Sequence, residues 1–119
     1  MNDDGPVGAA RCYIAALATH RADDVPLARD CVRVELGVRT GRGGVHIARG
    51  LERGPQFRVI HAVDDVRTDV VDGVVHAEFR VCLRPRVLRL ASRVTETFEF
   101  DDSGRIRRIV ARFSLPRRH

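Results

Sequence analysis

A chain of 119 residues that is 44% apolar and 31% charged has the length and balance of one globular domain with its own core. No apolar run nears the roughly 20 residues of a membrane-crossing helix, and three cysteines are too few and too scattered for a disulfide framework or a zinc site. The net charge of +5 comes from 21 arginines and no lysine, often beside acids and without interleaved aromatic platforms, so nucleic acid is disfavoured as a partner.

Residues 1–5 are expected to be disordered, residues 6–115 to form the single domain, and residues 116–119 to be a basic tail. The acidic start does not resemble a signal peptide, and Cys12, Cys31 and Cys82 read as reduced, buried hydrophobes. A cytoplasmic protein without membrane contact is expected. Pro6 suits the first turn of a helix, and Val7, Ala10, Ile14, Leu17 and Ala18 carry the three-and-four spacing to about His20. Asp23-Asp24, with Pro26 following, predicts a second, short helix. From Cys31 to Val38 strict alternation predicts a strand with Val32, Val34, Leu36 and Val38 on one side and Arg33 and Glu35 on the other. Gly41-Arg42-Gly43-Gly44 reads as a turn, and Val45, Ile47, Ala48 and Leu51 as a third helix closed by Gly54-Pro55.

Four long strands follow, at 57–71, 74–83, 86–100 and 105–115. Asp72-Gly73 is a strong hairpin signal, so they should run antiparallel. Helices first and strands afterwards predict an α+β fold with the helices on one face of one sheet.

Glu96 is the most informative single residue. Alternation places it with Val94, Phe98 and Phe100 on the apolar face, where lost hydration favours the neutral acid, which can donate a hydrogen bond. It could equally pair with a buried Arg or Tyr. Tyr13 stands one helical turn from Leu17, so its ring should pack inward, with its hydroxyl either bonded to Glu96 or turned into a pocket. No histidine has a second ligand at metal-site spacing, and neither metal nor cofactor is expected.

The segments Arg11 to Leu17 and Leu27 to Glu35, with the hairpin Glu96-Thr97-Phe98-Glu99-Phe100 through Ser103-Gly104-Arg105-Ile106 to Phe113, resemble the bacterial ketosteroid isomerases of the nuclear transport factor two-like (NTF2-like, SnoaL-like) superfamily. The resemblance implies a cone, with three N-terminal helices packed in the concave face of a curled, mainly antiparallel sheet around a pocket. It also implies roles. Tyr13 and a protonated Glu96 would stabilise an enolate, and Glu35 would be the base, one methylene longer than the family's Asp and followed by Leu36 where the family has proline. Leu17, Val94 and Phe98 would line the ligand site.

Glu35 enters a pocket only if its strand turns the Arg33 side inward; a solvated Glu35–Arg33 pair is the default. Three readings therefore compete. The first is a cofactor-independent proton-transfer enzyme for a small apolar, steroid- or polyketide-like molecule. The second is a non-catalytic ligand-binding or dimerisation module, in which Tyr13 and Glu96 bond each other and the cavity is too small for a ring system. The third is an arginine-rich surface for an acidic partner. Family habit points to a homodimer through the outer sheet face.

Overall fold

A computed structural model describes residues 5–119, and the expected loose residues 1–4 lie outside that range. Gly5 already opens the first helix, α1 (Gly5–Thr19). Over the described residues the architecture is α+β, with three α-helices and a curled seven-stranded sheet. After α1 come β1 (Leu27–Glu35), β2 (Val38–Arg42), α2 (Gly44–Arg53), the single-turn α3 (Pro55–Arg58) and β3 (Ile60–Val71). They are followed by β4 (Val74–Leu83), β5 (Leu90–Phe100), β6 (Ile106–Phe113) and the two-residue β7 (Arg117–Arg118). The sheet order is β2-β1-β6-β5-β4-β3, with β7 on the start of β5; β1 and β6 are parallel and the other pairs antiparallel. Among the described residues no helix is long and apolar enough to cross a membrane.

The four-strand half of the sequence reading meets the structure closely. Asp72 and Gly73 both take positive φ, 51° and 78°, as the two-residue hairpin turn requires. The interruptions are local: residues 86–88 form a 3₁₀ turn ahead of β5, and Pro55–Arg58 coil into α3 where the strand was expected to begin at Phe57. Bulges sharpen the curl, one of them at Asp65, whose φ is 55° between Asp64 and Arg67 in the β3–β4 register.

The N-terminal half differs more. No helix forms at Asp23-Asp24; these residues make a turn, and the chain enters β1 at Leu27. The predicted strand over Cys31 to Val38 is two strands. It folds back at Leu36-Gly37, with φ of 50° and 83°, so that Glu35 pairs with Val38. Leucine in a left-handed turn position carries no hairpin signature, which is why alternation ran straight through it. The supposed glycine turn supplies the end of β2 instead. At Gly41 a Cβ would lie 2.6 Å from Ile47 Cγ1 and 2.7 Å from Arg33 Cβ, so this glycine lets α2 close onto β1. Part of the basic tail is paired, Arg117 and Arg118 lying against Ala91 and Leu90.

The core joins α1 (Ala10, Tyr13, Ile14, Leu17) to the inward faces of β4, β5 and β6, including Val75, Phe79, Phe98 and Ile109. All three cysteines are free; Cys31 and Cys82 are buried, whereas Cys12 is only half-buried. His20, just past α1, reaches the Leu51 carbonyl at 3.1 Å and the Ile60 carbonyl at 3.0 Å, tying the helix end to α2 and β3.

Candidate functional site

β1 turns the side opposite to its valines toward the interior. Cys31 and Arg33 are buried, while Val32 and Val34 are half-buried on the other side. The irregularity between Leu27 and Val32 in the β1–β6 register resets the phase of the strand, so residues 28, 31 and 33 all face in. The default expectation of a solvated Glu35–Arg33 pair is thereby corrected: the pair exists, but inside. Arg33 Nη2 stands 2.8 Å from Glu35 Oε2 and 4.0 Å from Glu96 Oε2, with the guanidinium 4.5 Å from the centre of the Phe57 ring. The Glu96 side chain is 1% exposed and the Glu35 side chain 18%. Arg33 is the site residue that the sequence did not single out. A buried arginine is recognisable only when the carboxyl it serves is known to come from a strand distant in sequence.

Beside this cluster lies a cavity of about 270 Å³. Arg33, Glu35, Gln56, Ser92 and Glu96 supply its polar wall, and Leu17, Phe57, Val94 and Phe113 belong to its apolar wall. Leu17 and Val94 line this cavity, whereas Phe98 does not: it is wholly buried and packs edge-on against Tyr13, ring centres 5.5 Å apart. Tyr13 does not line the cavity either. Among the described residues its hydroxyl is buried without a hydrogen-bond partner, as are Glu96 Oε1 and Arg33 Nε. The Tyr13–Glu96 bond expected of a self-satisfied structural pair is absent.

Burial makes the electrostatics unusual. Desolvation pushes the Glu96 carboxyl from 4.5 up to about 7; Arg33 partly counters this and Glu35 adds to it. Desolvation also raises the Tyr13 phenol above its ordinary value, so it stays protonated. Arg33 loses hydration as well, but Tyr13, Glu96 and Glu35 around it more than restore its charged form. The result is a fixed cation, a carboxylate beside it, and a second carboxyl that is neutral in mildly acidic solution and able to donate.

Two expected results follow from these groups. Because the folded chain holds the Glu96 proton more tightly than the unfolded one, its contribution to stability is complete below pH 4.5 and is lost as pH rises through about 7. Wild type should therefore lose about 2–3 kcal/mol more than Glu96→Gln between pH 5 and pH 8 in urea unfolding. Parallel pH profiles would mean that Glu96 is ordinary. The buried, unpartnered Tyr13 hydroxyl costs stability, so ligand-free Tyr13→Phe should gain about 1 kcal/mol. A loss of similar size would show a hydrogen bond in solution.

Residues 3–113 match the family described as "Domain of unknown function (DUF8021)". No curated protein matches the sequence. Solved structures share the fold at low identity. A steroid delta-isomerase from Pseudomonas aeruginosa superposes with TM-score 0.69 at 16% identity, over 97% of this chain and 82% of that one. A SnoaL-like family protein from Agrobacterium tumefaciens gives 0.67 at 17%, over 97% and 100%. A de novo designed protein with a curved β-sheet gives 0.68 at 14%, over 89% and 84%. The fold is thus NTF2-like, and a designed protein with the same shape shows that shape by itself specifies no reaction.

Proposed function

This chain belongs to the DUF8021 family and has an NTF2-like fold, and on that footing we propose that it binds a small, mostly apolar molecule bearing a ketone and moves a proton on it. The observation that carries the reading is that Glu96 and Arg33, which line the apolar cavity, each hold a buried polar atom without a partner among the described residues, Glu96 Oε1 and Arg33 Nε. Such atoms are costly unless something completes them, and a ligand oxygen would do so.

In this reading Glu35 removes a proton alpha to the carbonyl. The electron pair moves onto the carbonyl oxygen, which receives hydrogen bonds from neutral Glu96 and from Arg33, and the proton is returned to carbon. Preorganised donors of this kind are worth roughly 3–4 kcal/mol each where the charge develops. Arg33 takes a place that the isomerase resemblance gives to a tyrosine, because Tyr13 does not line the cavity. The likeness in fold to a steroid delta-isomerase supports the reaction class, while size argues for a smaller substrate. A volume of 270 Å³ is just below the roughly 300–1,000 Å³ of drug-sized sites and suits one or two rings better than four.

The test is deuterium exchange at the α carbons of β-tetralone, a two-ring ketone, followed by proton NMR in heavy water. Saturable exchange above the buffer rate is expected, suppressed when Ala111→Leu fills the cavity. The ion pair that engages Glu35 favours a second reading, a binding pocket without chemistry, which predicts saturable binding with no exchange. Absence of both would overturn the proposal.

A further inference from the structure

The rim of the cavity carries a surface that the pocket chemistry does not use. Three of the lining residues, Val59, Leu83 and Pro116, are each followed or preceded by an arginine: Arg58, Arg84 and Arg117. The Arg84 amide donates to the Val59 carbonyl at 2.7 Å, and the His119 amide donates to the Arg89 carbonyl at 2.9 Å. These bonds, with the pairing of Arg117 and Arg118 onto Ala91 and Leu90, gather Arg84, Arg86, Arg89, Arg117 and Arg118 at one end of the sheet. Among the described residues none of these five has an acidic partner, whereas the arginines along β4 and β5 do, Arg80 with Asp64 and Arg93 with Glu78. His61 reports the crowding: desolvation, then Arg86, Arg84 and His119, lower its affinity for a proton.

Apolar side chains project from the same end. Val87 on the 3₁₀ turn and Leu115 ahead of the tail are each 83% exposed, and Leu88 is 50% exposed. They stand among arginines, without the aromatic platforms that would stack nucleic-acid bases. Aliphatic tips set in a field of positive charge are the pattern of a surface that dips into the headgroup layer of an anionic bilayer.

We propose that the Arg84–Arg89 turn and the C-terminal arginines dock this protein on an anionic lipid surface, with the cavity mouth facing the bilayer. The proposal departs from the absence of membrane contact expected from the sequence. Long apolar runs decide whether a chain spans a bilayer; docking depends on which charges the fold collects. Arginine forks engage lipid phosphates while Val87, Leu88 and Leu115 enter the acyl boundary, where apolar small molecules partition.

The test is co-sedimentation of the full chain with phosphatidylcholine vesicles, with and without phosphatidylserine. Pelleting is expected only with phosphatidylserine, and it should weaken as salt rises. Arg86→Ala combined with Arg89→Ala should weaken binding roughly 30-fold. Val87→Ser combined with Leu88→Ser should weaken it at unchanged charge. All four positions are exposed, and the β-tetralone measurement on each variant keeps failure of docking separate from failure of the pocket. Equal pelleting with neutral vesicles, or indifference to both double variants, overturns the proposal. So does failure to pelletise with vesicles alongside capture by duplex DNA or by an acidic polypeptide.

Discussion

Glu35→Gln is expected to slow α-carbon exchange of β-tetralone by roughly 10²–10⁴-fold, the usual contribution of a positioned base. Binding of the ketone should be nearly unchanged, because glutamine keeps the shape of the side chain and the apolar wall formed by Leu17, Phe57 and Val94 is untouched. The ion pair with Arg33 uses Glu35 Oε2 at 2.8 Å and leaves Oε1 for the substrate, so the base is held in one orientation. A second readout guards against a trivial loss of structure. The negative charge of Glu35 is one of the causes that raise the Glu96 carboxyl, so Glu35→Gln should move any pH dependence governed by Glu96 to lower pH. Exchange that persists at the wild-type rate would remove Glu35 from the mechanism.

Arg33→Met should be the most damaging single change to stability at the site. It leaves Glu96 wholly buried and Glu35 largely so, without the cation they share; breaking a buried pair in this way costs roughly 3–5 kcal/mol. Methionine retains much of the packing under Phe57 and beside Gly41, so the loss is chiefly electrostatic. Its pH dependence provides the check. At pH 8 Glu96 is driven to ionise without the cation, whereas at pH 5 it takes a proton and relieves part of the strain. Urea unfolding at the two pH values should show the larger deficit at pH 8. An equal deficit at both would assign the effect to lost packing and cation–π contact.

How much of the site could be read beforehand depended on whether a signal was local. The inward face of Glu96 was legible because β5 alternates cleanly, Val94, Glu96 and Phe98 pointing in and Arg93, Thr95 and Thr97 out. The orientation of Glu35 was not, because Val32, Val34, Leu36 and Val38 mimic a single half-buried strand. The Leu36-Gly37 turn and the irregularity before Val32 together give that stretch a different geometry. Gly41 looked like loop punctuation, yet a side chain there would collide with both Ile47 and the stem of Arg33.

The chain alone determined the α+β class, the antiparallel strands after residue 60, the Asp72-Gly73 hairpin and the inward carboxyl at position 96, since periodicity and turn chemistry act over a few neighbouring residues. Tertiary structure decided which side of β1 looks in, that Arg33 sits between two acids from strands about sixty residues apart, that Tyr13 does not line the cavity, and that five arginines from two segments gather at one end of the sheet. Desolvation and Coulomb forces depend on distance through space, and the fold sets those distances.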